Sequence, residues 1–260
     1  MQDDINAVDL AFIVDTTGSM GGLIAAAQNQ MIALLEELTQ AAQIDLRLGI
    51  VEYRDHPPQD KMVYRTHAFT SQLQQAQQTI RELTAQGGGD APEAVLDGVV
   101  AACRELRWRK HARRLAVLVG DAPPHGVGAG GDSFANGCPC GETIESITCL
   151  AENTQVTIHA LGLTAAATTS FTAISSLTGG KFFAATQANE AIQHLSTLLR
   201  SEFGHLELDR RVLAAWRENP DISIDELAEQ LASSRHEVST SLVRLFSRDL
   251  ITAPVTSLSE

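Results

Sequence analysis

Two short apolar runs, Val8 to Val14 and Arg114 to Gly120, each deliver the chain to an aspartate, Asp15 and Asp121. Runs of this length without polar alternation are the pattern of strands buried on both faces. Between and after them, helical spacing alternates with further strand-like runs, so the chain has to build a parallel sheet with helices on its two faces.

The rest of the chain fits that frame. Leu23 to Thr39 carries Leu23, Ala27, Met31, Leu34, Leu35 and Leu38 on one helical face. Ile44 to Tyr53 and Lys61 to Phe69 are strands joined by a link rich in Pro and Asp, too short for a crossover and therefore antiparallel. Ser71 to Ala85 reads as a helix broken by Gly87, Gly88 and Gly89, and Asp90 to Leu106 as a second helix with Asp90 as N-cap and Pro92 and Glu93 in its first turn. Ala122 to Gly141 is a long Gly- and Pro-rich loop, a length that usually serves function. Helices at Glu142 to Glu152, Thr169 to Leu177 and Ala188 to Phe203 alternate with strands at Val156 to Leu163 and Lys181 to Ala184. The expected class is α/β: a Rossmann-like, open, mainly parallel sheet covered on both faces. Hydrophobic residues are 44% of the 260 and aromatics 5%, so an aliphatic core is affordable.

The segment Asp15-Thr16-Thr17-Gly18-Ser19-Met20 carries the chemistry. Asp15, Thr17 and Ser19 present oxygen atoms at alternate positions of a tight turn, so all three can face one centre. With only hard oxygen donors, the fitting guest is Mg²⁺, with Mn²⁺ or Ca²⁺ as alternatives. Asp90 and Asp121 stand at the same rim, where an open α/β sheet places its ligand crevice. Without a cation these acids would repel one another.

This arrangement resembles the metal-ion-dependent adhesion site (MIDAS) of von Willebrand factor A (vWA) domains, written Asp-x-Ser-x-Ser in that family, with Asp121 matching its distal aspartate. The resemblance spans residues 8 to 203. It implies that the hydroxyls ligate the metal directly, that the aspartates often act through water, and that a partner carboxylate completes the sphere. Where most of the family has a threonine after the glycine-rich turn, this chain has Asp90. Gly87-Gly88-Gly89-Asp90-Ala91-Pro92-Glu93 is similar to a subgroup that includes the A domains of alpha-kinase-linked proteins and hemicentins. A carboxylate at position 90 would add charge near the metal and weaken the pull on an incoming acid. Intracellular bacterial proteins resembling this family are often partners of MoxR-type AAA+ ATPases. The resemblance therefore implies a metal-dependent protein–protein interaction adaptor rather than an enzyme.

An alternative is a Mg²⁺-dependent phosphatase of the haloacid dehalogenase type, with Asp15 as phosphoryl acceptor. It lacks the second acid expected soon after Asp121, and lysines are confined to Lys61, Lys110 and Lys181. In the long loop, Cys138-Pro139-Cys140, with Cys149 and His125, offers a second candidate set, for Zn²⁺ or for free or redox-responsive thiols.

Beyond Gly204 the pattern changes. Leu206 to Trp216, Ser223 to Leu231 and Ser234 to Ser247 read as three short helices of a helix-turn-helix or winged-helix-like module, residues 204–260, following the metal-binding domain at 1–203. Capping boxes run from Ser223 to Glu226 and from Ser234 to Glu237. Were Ser234 to Ser247 a recognition helix, Arg235, His236, Ser239, Ser241 and Arg244 would read bases, making the chain a transcriptional regulator. But residues 205–260 hold 6 Arg and 10 acids, and the whole chain carries −13, which disfavours phosphate contact. Protein docking fits better. No stretch has the length of a membrane span, the start has no signal-peptide pattern, and four cysteines make no disulfide framework. The expected compartment is the cytoplasm.

Overall fold

A computed structural model describes residues 4–41, 44–89 and 91–252. The chain divides into two compact units. One comprises Val8–Trp108 and Arg114–Ser196; the other comprises Thr197 onward with Arg109–Arg113 and the residues through Ala7.

The first unit is an α/β layer structure around a six-stranded sheet of order β3-β2-β1-β4-β5-β6. The strands are β1 (Ala7–Asp15), β2 (Asp45–Tyr53), β3 (Tyr64–Thr70), β4 (Arg113–Gly120), β5 (Thr157–Gly162) and β6 (Phe182–Ala184). Every residue of β1 is buried, as its apolar run, interrupted only by Asp9, requires. Its one internal acid, Asp9, is held by Arg47 through two hydrogen bonds of 2.9 and 2.6 Å. β3 pairs antiparallel with β2, from Tyr53 opposite Tyr64 to Leu48 opposite Thr70. β4, β5 and β6 pair in parallel.

The helices are α1 (Gly21–Ala41), α2 (Leu73–Glu82), α3 (Val95–Arg104), α4 (Ile144–Asn153), α5 (Ala165–Leu177) and α6 (Ala188–Glu218). Helix α3 lies close on the sheet because it carries Gly98: a Cβ there would stand 2.9 Å from the Tyr53 ring and 3.1 Å from Ile13. The main core gathers Ile13, Val51, Tyr53, Leu96, Leu118 and Phe171, among others.

Among the boundaries that differ from those expected, three bear on the packing. Helix α3 begins at Val95, not at residue 90. The Glu93 N–H bonds the Pro123 carbonyl at 3.0 Å, and Glu93 forms a parallel bridge with Pro124, so this segment is spent on the neighbouring loop. Helix α5 starts at Ala165, a turn ahead of Thr169. Helix α6 runs unbroken through Gly204, where separate helices ending at Phe203 and starting at Leu206 were expected. A mid-helix glycine costs only about 1 kcal/mol relative to alanine, and Leu199, Phe203 and Leu206 are all buried.

In the second unit, α7 (Ile224–Gln230) and α8 (Arg235–Ser247) follow. Both expected capping boxes form: Ser223 with Glu226, and Ser234 with Glu237. Ala232, at φ 48°, makes the turn between them. Leu213, Leu227, Val238, Leu242 and Leu245 form the local core. Past Glu218 the described residues, which run to Thr252, hold these two helices and no strand. Ser234→Ala removes the acceptor for the Glu237 N–H and should lower stability by about 1 kcal/mol, read as a shifted urea midpoint with unchanged slope.

Candidate metal centre

The sheet order reverses between β1 and β4, and at that point the carboxyl ends of two strands bring their acids together. Asp15 is the last residue of β1 and is fully buried. Its Oδ1 accepts hydrogen bonds from the Thr17 N–H at 2.8 Å and the Thr17 hydroxyl at 2.6 Å. The Thr17 and Ser19 hydroxyls lie 3.2 Å apart. Asp121 follows Gly120 at the end of β4, and its carboxyl stands against that of Asp15. The Thr164 hydroxyl donates to the Asp121 backbone carbonyl, which fixes that peptide. Thus Asp15, Thr17, Ser19 and Asp121, four of the five expected ligands, meet at one rim. The fifth, Asp90, lies outside the described residues.

The turn is locked from behind. The Gly18 N–H bonds the Gly87 carbonyl at 3.1 Å, and the Gln86 N–H bonds the Thr16 carbonyl at 3.0 Å. Gly88 is at φ +82°, and a Cβ there would lie 3.1 Å from the Thr17 Cβ and 3.2 Å from Glu93 Oε1. A glycine is needed both for the left-handed backbone and for this approach.

Glu93 is the residue that sequence reasoning missed. It is buried and lines the same hollow, of about 650 Å³, as Ser19 and Asp121. Its position after Pro92 resembles the first turn of a helix, and only the bridge to Pro124 shows that it faces the rim. Two carboxylates, Glu93 and Asp121, therefore line one hollow, with the Asp15 carboxyl set against Asp121, and no basic side chain among the described residues lines it. Arg54, buried close by, is held by the Thr16 hydroxyl at 3.2 Å, the Thr84 carbonyl at 3.3 Å and Asp60 at 3.9 Å.

Electrostatics follow from this crowding. Burial, together with the charge and close approach of Asp121, raises the Asp15 carboxyl from 3.8 to about 7, against the two Thr17 hydrogen bonds. The Tyr53 hydroxyl is pushed well above its ordinary value by burial and by Asp15, Glu93 and Asp121. Asp15 Oδ2 is buried and reached by no hydrogen-bond donor among the described residues. An orphaned carboxylate oxygen facing a second carboxylate, with two hydroxyls alongside, is a donor set that fits a hard divalent cation.

The cysteine loop is arranged differently from expectation. His125 is buried between Asp55 and Asp132, with 2.8 Å bonds from both ring nitrogens. Burial pulls its imidazole down, but the two carboxylates outweigh that and raise it. Cys149 is exposed on α4. Neither joins Cys138 and Cys140.

A von Willebrand factor A domain family model matches residues 9–111. Alpha-protein kinase vwkA of Dictyostelium discoideum is 30% identical over 143 residues, covering 54% of this chain and 23% of the kinase. Among solved structures, proximal thread matrix protein 1 from the mussel byssus, with a zinc-occupied MIDAS motif, superposes with a TM-score of 0.58 at 15% identity, over 76% of this chain and 47% of that one. The pilus adhesin SpaC of Lactobacillus rhamnosus GG, in its open conformation, superposes with a TM-score of 0.55 at 16% identity, over 76% of this chain and 30% of the adhesin. The chain thus spans under a quarter of the kinase and about half of the byssus protein, and its first unit has the vWA-like fold.

Proposed function

We propose that the chain is a metal-dependent protein–protein interaction adaptor whose rim holds a divalent cation, Mg²⁺ first, and grips a partner through a carboxylate. The observation that carries this reading is the buried, unpartnered Asp15 Oδ2 set against Asp121. Asp15, Thr17, Ser19 and Asp121 would hold the cation, with Glu93 adding negative charge beside them. The cation would supply a positive centre for an acidic contact residue of the partner; the open hollow beside Asp121 gives that residue access. A MoxR-type AAA+ ATPase in the cytoplasm is the proposed partner.

Binding is favoured over catalysis because Asp15 is fully buried and its Oδ1 is engaged twice by Thr17. A phosphoryl acceptor has to be reachable by its substrate. A DNA-reading role for α8 is disfavoured because Ser241 and Arg244, two of its candidate base contacts, are both bonded to Asp209. Among the described residues no helix is long and apolar enough to cross a membrane.

The test is calorimetric titration of Mg²⁺, Mn²⁺ and Ca²⁺ into the wild type, Asp15→Ala and Asp121→Asn. Saturable binding by the wild type and a loss of about a hundredfold or more in both variants is expected. Capture of a MoxR-type ATPase should require the cation and vanish in EDTA. Equal cation affinity in wild type and Asp15→Ala would remove the site; cation binding without capture would remove the partner.

A further inference from the structure

A second cluster of ligand atoms lies apart from the rim, with a different chemistry. His56 Nε2 lies 3.0 Å from Asp97 Oδ2 and 3.3 Å from Cys138 Sγ, and Cys138 Sγ lies 3.2 Å from Asp97 Oδ2. These three side chains are all buried, and their ligand atoms lie within 4.8 Å of one another. Cys140 Sγ stands 3.1 Å from Cys138 Sγ without a covalent bond, and it also faces Asp97.

Three separate parts of the chain supply these atoms. His56 comes from the β2–β3 connection, Asp97 from the first turn of α3, and the two thiols from the end of the long loop. Nothing local in the sequence brings them together; the fold does. The loop doubles back to do so: a Cβ on Gly126 would stand 2.6 Å from the Gly137 Cα. Phe134 packs edge-on against the rings of His56 and His125, and Asp132 accepts from the Gly126 and Phe134 N–H groups at 2.7 and 2.8 Å.

We infer that His56, Asp97, Cys138 and Cys140 form a structural Zn²⁺ site that fastens the 122–141 loop to the β2–β3 connection and α3. One nitrogen, one carboxylate oxygen and two sulfurs make a borderline-soft donor set, which suits Zn²⁺ and not Mg²⁺. In a tetrahedral site with bonds of about 2.0–2.3 Å, neighbouring ligand atoms stand about 3.3–3.8 Å apart. The observed separations of 3.0–3.3 Å need only a small outward adjustment. The burial of three of the four donors marks the site as structural and not catalytic. Val127 to Gly130 of the fastened loop wall the hollow beside Asp121, so the zinc would set the shape of the rim whether or not the rim takes Mg²⁺.

The experiment is metal analysis of the full chain purified without chelator, followed by Co²⁺ substitution. Wild type, Asp15→Ala and Cys149→Ser should each retain a single zinc equivalent, while His56→Ala and Cys138→Ser should lose it. Co²⁺ should give a tetrahedral visible band and a thiolate charge-transfer band, the latter falling to about half in Cys140→Ser. The wild-type Co²⁺ spectrum decides the matter even if the ligand variants fail to fold. A metal-free wild type with no charge-transfer band on Co²⁺ titration would overturn the inference. So would a Cys138–Cys140 disulfide in its place, zinc retained in Cys138→Ser, or zinc lost in Asp15→Ala.

Discussion

In EDTA, Asp15→Asn should unfold at higher denaturant than the wild type, and its advantage should widen as pH rises from about 4 towards 7. Burial and the neighbouring Asp121 raise the Asp15 carboxyl to about 7 from 3.8. The folded chain therefore binds this proton more tightly than the unfolded chain. Stability associated with the protonated form is fully present below the unfolded value and is lost as pH climbs to the folded one. At about 1.4 kcal/mol per pH unit, the total is on the order of 4 kcal/mol. Asparagine cannot ionise and escapes that loss. Saturating Mg²⁺ should reverse the ranking, because only the carboxylate gains from the cation. Below pH 7 the cation has to displace a proton, so its affinity should fall about tenfold per pH unit. Urea midpoints across this range, with and without Mg²⁺, provide the measurement. A variant less stable than wild type at every pH in EDTA would show that the carboxylate is not strained.

Asp209→Ala should destabilise the C-terminal unit by about 3–5 kcal/mol. Asp209 is 1% exposed. Its Oδ1 accepts from the Ser241 hydroxyl at 2.6 Å and from Arg244 Nη2 at 2.5 Å, while Oδ2 accepts from Arg244 Nε at 3.1 Å. Removing the acid leaves a largely buried guanidinium and a buried hydroxyl without their partner. Replacing the pair together, as Asp209→Leu with Arg244→Met, should recover most of the loss, since the penalty comes from the orphaned charge. Chemical denaturation of the three proteins tests both statements. A single variant within about 0.5 kcal/mol of wild type would show that the pair contributes little.

The sequence made the strand ends legible because Val8 to Val14 and Arg114 to Gly120 each stop at an acid, and burial on both faces leaves few other readings. The capping boxes of α7 and α8 were legible for a similar reason: Ser-x-x-Glu satisfies orphan N–H groups within four residues. Glu93 was not, since Asp-x-Pro-Glu is also the opening of a helix and its true hydrogen-bond partner is Pro123, thirty residues on. His56 and Asp97 carry no local mark as neighbours of Cys138. Gly204 looked like a break, but the buried side chains around it outweigh one glycine.

The rim draws Asp15 and Asp121 from strands far apart in the chain, and the family match at 9–111 ends short of the second. No peptide carrying the Asp15 turn alone reproduces it. Whatever occupies the hollow recognises the native state only, so by mass action its concentration adds to the free energy of folding, about 2.7 kcal/mol at a hundred times the dissociation constant. On the proposed reading, cellular supply of the ion would tune how long the assembled chain endures, as well as what it holds.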